Sequence, residues 1–187
     1  MSHYIDIHLL PDPEFAAHHL LVALYAKLHR ALAKLGVNGI AVSFPGYTVH
    51  PANLGATLRL IGAESELAGL MAQEWLTGMR DHIAVGAVKT VPADAPSRTL
   101  RRVQAKSSPE RLRRRQIRRH GWTEAEAIQR LPDAAAERLR LPFVQLASAS
   151  TGQTFRLYLR LGESQTGDTR GEFNAYGLSA TATIHWF

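Results

Sequence analysis

Between Arg98 and His120 stand nine arginines and one lysine against a single acid, Glu110, a local charge of +9. The rest of the chain carries twelve bases and fifteen acids, −3, so this one segment supplies the whole basic character behind the net charge of +6 and the pI near 10.1. Such asymmetry points to a polyanionic partner rather than to general solubility. Ser108-Pro109-Glu110 reads as a helix start, with a cap, a proline in the first turn and an acid beside it, and His120-Gly121 reads as its end. A helix of that length is a rod of roughly 16 Å. Arg111, Arg114, Arg115, Arg118 and Arg119 then fall at i, i+3, i+4, i+7 and i+8, on one face, with Leu112 and Ile117 off it. Five guanidiniums on one stripe repel one another unless anions intervene, and their planar forks match phosphate oxygens bidentately. A solvated basic face or a contact with an acidic protein is the competing reading. With Glu110 as the only nearby acid, the stripe favours nucleic acid over both.

Just upstream, Arg102 and Gln104 share a side of an extended segment. Arginine pairs bidentately with guanine and glutamine with adenine, so the two could read bases; they could equally be more basic linker. No helix-turn-helix pair or zinc-ligand spacing argues for DNA. An A-form major groove is deep and narrow, so a helix would enter it near a hairpin end.

Nine histidines offer proton transfer near neutral pH. Spacing alone singles out none of them. His18 and His19 are adjacent rather than four apart, no His-Glu-x-x-His occurs, and no glycine-rich phosphate loop is present. The chain has no cysteine, which excludes disulfides and thiolate metal sites and accords with a reducing cytoplasm. Read from the residues alone, His29 is a helix histidine, Ser148 to Gly152 a polar turn, Phe155 a strand residue and Tyr176 a core aromatic.

These residues need a scaffold, and the pattern of the 187 residues, 45% of them hydrophobic, supplies one. Tyr4–Leu10 alternates as a strand. Asp12-Pro13 reads as the cap of a helix running to about Leu35, stopped by Gly36. Short strands are expected over Ile40–Phe44 and Thr57–Ile61, a helix over Glu64–Met71, and strands near Ile83–Val85 and Val88–Val91. The order strand, helix, strand, strand, helix, strand predicts an α+β chain opening with a ferredoxin-like domain, residues 1–94. Val91–Ser97 reads as a linker. Residues 95–187 form the second domain, with the arginine-rich helix and strand-like runs at Phe143–Leu146, Thr154–Arg160 and, interrupted, Phe173–Trp186. There is no run of eighteen apolar residues to cross a membrane, and Met1-Ser2-His3-Tyr4 lacks the features of a signal peptide.

Longer strings carry a family resemblance. Arg102-Val103-Gln104-Ala105-Lys106-Ser107 leads into Ser108-Pro109-Glu110-Arg111-Leu112-Arg113-Arg114-Arg115. Later come Ser148-Ala149-Ser150-Thr151-Gly152-Gln153-Thr154-Phe155-Arg156-Leu157, Tyr176-Gly177-Leu178-Ser179 and Trp186-Phe187. The opening adds His3-Tyr4-Ile5-Asp6-Ile7, Pro11-Asp12-Pro13-Glu14-Phe15 and Lys27-Leu28-His29. Together these closely resemble the CRISPR repeat-processing endoribonucleases of subtype I-F, over essentially the full chain. His185 departs from the pattern, standing where proline is expected before Trp186-Phe187.

The resemblance implies a metal-independent enzyme without cofactor. It would bind a CRISPR repeat hairpin and cut the precursor RNA 3′ of the stem by 2′-OH attack. The ends would be a 5′-OH and a 2′,3′-cyclic phosphate, the guide RNA would be retained, and other subunits of a type I-F surveillance complex would be partners. It implies catalytic roles for His29, Ser148 and Tyr176. Ser150 and Thr151 would touch RNA, and Phe155 would stack on the terminal base pair. Arg102 and Gln104 would read bases in the lower stem. Arg114, Arg115, Arg118 and Arg119 would grip phosphates, joined by Arg111 and His120. A non-catalytic structured-RNA scaffold is the alternative, and a DNA- or acidic-protein-binding module the third possibility.

Overall fold

The computed structural model describes residues 1–104, 109–132, 139–148 and 152–187. The chain is α+β, with antiparallel strand pairing throughout. Its first part holds β1 (His3–Leu9), α1 (Ala17–Leu35), β2 (Ala41–Ser43), β3 (Thr48–Val49), β4 (Ala52–Asn53), β5 (Thr57–Gly62), α2 (Glu64–Met71), β6 (Ile83–Val85) and β7 (Lys89–Thr90). There follow β8 (Ser97–Arg98), β9 (Leu100–Val103), α3 (Pro109–His120), α4 (Glu124–Arg130), β10 (Phe143–Ala147), β11 (Thr154–Leu161) and β12 (Ile184–His185).

The first sheet runs β2-β5-β1-β6, with β7 also pairing to β1. Its register places Ile5 opposite Leu60 and Ile7 opposite Leu58, all four buried. The apolar stripe of α1, Leu20, Leu21, Leu24, Leu28 and Leu32, is buried too, which a helix with leucines at three- and four-residue spacing achieves in one orientation only. Gly36 ends α1 with φ +66°, its N–H donating to the Leu32 carbonyl at 3.0 Å.

The start of α1 differs from expectation. The helix begins at Ala17 and Ala16 caps it without a side-chain bond. Asp12 does bind main-chain N–H groups, of Glu14 and Phe15 at 2.8 Å each, but its other oxygen is held by His82 Nδ1 at 2.7 Å. The carboxylate therefore fastens a turn to His82, just ahead of the neighbouring strand β6, and no helix starts there.

A second sheet, β10-β11-β9, brings Leu100, Val144, Leu146, Leu157 and Leu159 into the same hydrophobic core as β1, β5 and α1. One compact unit comprises Met1–Val103 with Leu141–Phe187, and the other is Gln104–Arg140. The expected boundary between residues 94 and 95 lies within the first unit, where strands on both sides of the linker share one core. The run Phe173–Trp186 also differs: only Ile184–His185 is strand, paired with β8. Asn174 Oδ1 accepts from the N–H groups of Tyr176 and Leu178, at 2.9 and 3.3 Å, and folds the stretch into turns.

Phe187 is anchored by Arg59. The guanidinium forks onto Asp6, Nε to Oδ1 at 2.6 Å and a second nitrogen to Oδ2 at 2.9 Å, and also donates to the Phe187 main-chain oxygen. It lies 3.9 Å from the centre of the Phe187 ring. Removing one partner of a nearly buried pair of this kind costs about 3–5 kcal/mol.

In the second unit α4 packs on α3, and Ala127 is fully buried. Gly121, with φ +68°, donates to the Ile117 carbonyl at 2.8 Å and turns the chain out of α3. Thr123 and Glu126 form a reciprocal capping box that starts α4. Arg113 Nε donates to the Leu131 carbonyl at 2.7 Å, tying the end of α4 back to α3. Ser108, the expected cap of α3, lies outside the described residues.

Candidate active site and phosphate-binding face

His29 sits late on α1, half-buried. Its Nδ1–H donates to the Ala175 carbonyl at 2.9 Å. That bond assigns the Nδ1 proton, because a carbonyl only accepts, and leaves Nε2 as the nitrogen that exchanges a proton. The ring lies parallel to that of Tyr176, centroids 3.9 Å apart and planes 5° apart. The segment carrying Ala175 and Tyr176 is itself fixed. Tyr25, one helical turn before His29 and fully buried, donates from its hydroxyl to the Tyr176 carbonyl at 2.7 Å. Burial, and secondarily Tyr176, pushes the Tyr25 phenol well above its ordinary range, so it is a fixed donor. Val42 of β2 donates to the Gly177 carbonyl at 3.0 Å. Gly177 has φ +68°, and a Cβ there would lie 2.6 Å from Val42 Cγ1. Two rings are thus held in register by one helix, one strand edge and one turn.

Ser148 closes the β10–β11 hairpin. Its N–H donates to the Gln153 carbonyl and its carbonyl accepts from Gly152, each at 2.9 Å. Ser150 and Thr151 lie outside the described residues. Phe155, half-buried on β11, has the Arg102 guanidinium 5.5 Å from its ring centre. Arg102 is exposed on β9, opposite Leu159 of β11, and Gln104 is the first residue of the second unit. A cleft of about 710 Å³, lined by His18, His19, Asn53, Phe143 and Gln145 among others, includes none of these expected site residues.

On α3, Arg111, Arg114, Arg115, Arg118 and Arg119 together line one groove of about 500 Å³, the face expected from their spacing. Among the described residues no carboxylate pairs with Arg114, Arg115, Arg118 or Arg119. His120 extends the helix end and stacks on Trp122. Not every arginine of the basic segment faces outward. Arg98 Nε is bound to the Gly162 carbonyl at 2.8 Å, and Arg113 is tied to Leu131.

The sequence offered no sign of the Ala175 carbonyl as the partner of His29, since 146 residues separate them. Tyr25 was discernible in principle, lying at i−4 on the helix face of His29. Among the described residues no group of three or more His, Cys, Asp or Glu is placed to hold a metal ion, and no helix is long and apolar enough to cross a membrane.

Residues 4–187 match the model of the CRISPR-associated protein family Cas_Csy4. The chain is 48% identical to a protein of Pseudomonas aeruginosa (strain UCBPP-PA14) named CRISPR-associated endonuclease Cas6/Csy4, over all 187 residues and the full length of both. It is 46% identical to a protein of the same name from Escherichia coli (strain UTI89 / UPEC), again over both full lengths. The chain belongs to the Cas_Csy4 family of CRISPR-associated proteins.

Proposed function

We propose that the chain is an endoribonuclease. It binds the hairpin of a CRISPR repeat, cuts precursor CRISPR RNA on the 3′ side of the stem without a metal ion, and retains the guide-bearing product. The observation that carries this reading is the His29 imidazole, fixed through Nδ1 and stacked on Tyr176, in a chain whose full-length relatives are named endonucleases. In the reaction the ribose 2′-oxygen bonds to the adjacent phosphorus and the bond from phosphorus to the 5′-oxygen breaks. The 2′-OH loses its proton and the departing 5′-oxygen gains one. His29 Nε2 is the group in this reading that exchanges a proton with the reacting ribose-phosphate, and Tyr176 holds its ring in plane. The products are a 2′,3′-cyclic phosphate and a 5′-OH.

Ser148 holds the nucleotide that bears the nucleophile. Helix α1 packs against β10. Ala17–Val22 of the helix and Phe143–Gln145 of the strand line one cleft. His29 lies further along that helix and Ser148 just past the end of that strand.

The arginine stripe of α3 grips stem phosphates, Arg102 and Gln104 read bases in the lower stem, and Phe155 beside Arg102 stacks on the terminal base pair. Ser150 and Thr151 contact the RNA in this reading. The first sheet belongs to a ferredoxin-like domain. Its order β2-β5-β1-β6, with α1 and α2 following β1 and β5, supports that reading. Retention of the product makes the chain a subunit of the surveillance complex that carries the guide.

The test is incubation with the cognate repeat hairpin in EDTA, followed by mass analysis of the 3′ ends. One cut beneath the stem with a cyclic phosphate is the expected result. Binding without a cut would make the chain a structured-RNA scaffold instead.

A further inference from the structure

At the end of the arginine stripe His120 stacks with two side chains that the phosphate grip does not use, Trp122 and Arg130. The His120 ring lies over Trp122, centroids 5.4 Å apart and planes 24° apart, and the Arg130 guanidinium lies 4.5 Å from the Trp122 ring centre. The backbone is built to bring them together. Gly121 in the left-handed region reverses the chain between His120 and Trp122. The Thr123–Glu126 capping box starts α4 at once, with Glu126 held below its ordinary range by the Thr123 N–H and hydroxyl. Seven residues of helix end on Arg130, and the Arg113 tie to the Leu131 carbonyl holds that end in place.

The stack has an exposed end. His120 is exposed and Trp122 only half-buried, so π surface remains open to solvent beside the cationic groove. Phosphate has no use for an aromatic face, whereas a nucleobase does, and a guanidinium behind the indole strengthens it as a platform. Bases inside a duplex have both faces covered; a face is open only on an unpaired base or on a terminal pair, and Phe155 is already assigned to the terminal pair.

We propose that His120, Trp122 and Arg130 form a stacking platform for an unpaired nucleobase of the hairpin loop, contiguous with the phosphate-gripping stripe. The proposal rests on the RNA-hairpin reading above and adds a ligand contact to it. The platform recognises that a base is present and unpaired, since every base has a π face. Trp122 and Arg130 act here as binding residues and take no part in cleavage.

The experiment compares hairpins that carry either an intact loop or single abasic positions in the loop or in the 3′ flank. Affinities are measured for the full-length protein and its Trp122→Ala and Trp122→Phe variants. Trp122→Ala should weaken binding of the intact hairpin roughly 5- to 150-fold, the range expected for loss of one base–aromatic stack. One abasic loop position should weaken wild-type binding to the same extent, and Trp122→Ala should add no further loss on that hairpin. Trp122→Phe should restore most of the affinity. Loss from Trp122→Ala that is equal on intact and abasic loops would mark Trp122 as structural and overturn the proposal. So would sensitivity confined to a flanking abasic position, or no loss at all. Failure of the wild-type chain to bind any hairpin would instead overturn the proposed function.

Discussion

The His29 imidazole lies flat against the Tyr176 ring, 3.9 Å between centroids and 5° between planes, while its Nδ1 is held by the carbonyl of Ala175. One ring nitrogen is therefore fixed and the other is free to exchange protons. On the proposed mechanism, His29→Ala should reduce single-turnover cleavage by about 10²–10⁴ and leave hairpin affinity unchanged. Tyr176→Phe keeps the stacked ring and should cut far better than Tyr176→Ala. Equal activity in the two Tyr176 variants would deny the stacking role. Normal cleavage by His29→Ala would move the chemistry to another residue.

Gly177 sets the position of that ring. Its φ of +68° and the 2.6 Å approach of a would-be Cβ to Val42 Cγ1 leave no room for alanine. Gly177→Ala should lower stability by about 1–3 kcal/mol, measured by urea unfolding, because backbone strain adds to the clash. It should also slow cleavage more than it weakens RNA binding. An unfolding midpoint equal to wild type would show that the turn relaxes freely.

Tyr25 supports the same turn from inside the core, through its 2.7 Å bond to the Tyr176 carbonyl. Tyr25→Phe should cost about 0.5–1.5 kcal/mol, more where the carbonyl is left dry. The pH dependence carries a sign. Burial first, then Tyr176, raises the phenol above its ordinary 10.0. Above that value the unfolded chain releases the proton while the folded chain keeps it. The contribution is therefore complete below pH 10 and is lost as pH rises beyond it. Urea titrations on the alkaline side should show a decline that Tyr25→Phe flattens.

Much of this scaffold was legible in local pattern. Helix α2 runs from Glu64 to Met71 as its sequence indicates, α1 ends at Gly36, and the arginines of α3 share a face because 3.6-residue periodicity admits no other arrangement. Long-range partners defeated the same reasoning. Asp12 has the chemistry of a helix cap and a proline after it, yet its carboxylate is taken by His82, 70 residues away. Phe173–Trp186 is apolar enough for strands, but Asn174 bends it into turns that deliver Ala175 and Tyr176 to α1. Likewise β9, β10 and β11 share a core with β1 and β5, an association that local pattern does not carry. The resemblance pointed to His29; its tautomer came only with the fold.

The Asp12–His82 fastening predicts an acid-side effect of opposite sign to that of Tyr25. The N–H groups of Phe15 and then Glu14 hold the Asp12 carboxyl below its ordinary 3.8; slight burial opposes them and His82 adds to them. A depressed carboxylate stabilises the fold above its ordinary value, and that stabilisation disappears as pH falls below it. Thermal melts of wild type should therefore steepen in acid beneath about pH 4. Asp12→Ala should begin with a lower melting temperature at neutral pH and lose less on acidification. Parallel acid profiles for the two proteins would show that the bonds to Asp12 do not survive in solution.

The arginine stripe makes the most quantitative prediction. Each of Arg111, Arg114, Arg115, Arg118 and Arg119 lines one groove. Neutralising a phosphate releases condensed counterions in proportion, about 0.7–0.9 per contact on a log–log plot of affinity against salt. Five contacts contribute a slope of roughly −3.5 to −4.5. Replacing Arg115 or Arg119 by alanine should reduce that slope by about 0.7–0.9 and weaken all stems alike, since phosphates carry no sequence. Arg102→Ala should behave differently, costing about 1–3 kcal/mol on the cognate stem and relaxing the preference at one base pair. A slope unchanged by Arg115→Ala would remove that side chain from the phosphate grip. A uniform loss from Arg102→Ala across all stems would make Arg102 one more backbone contact.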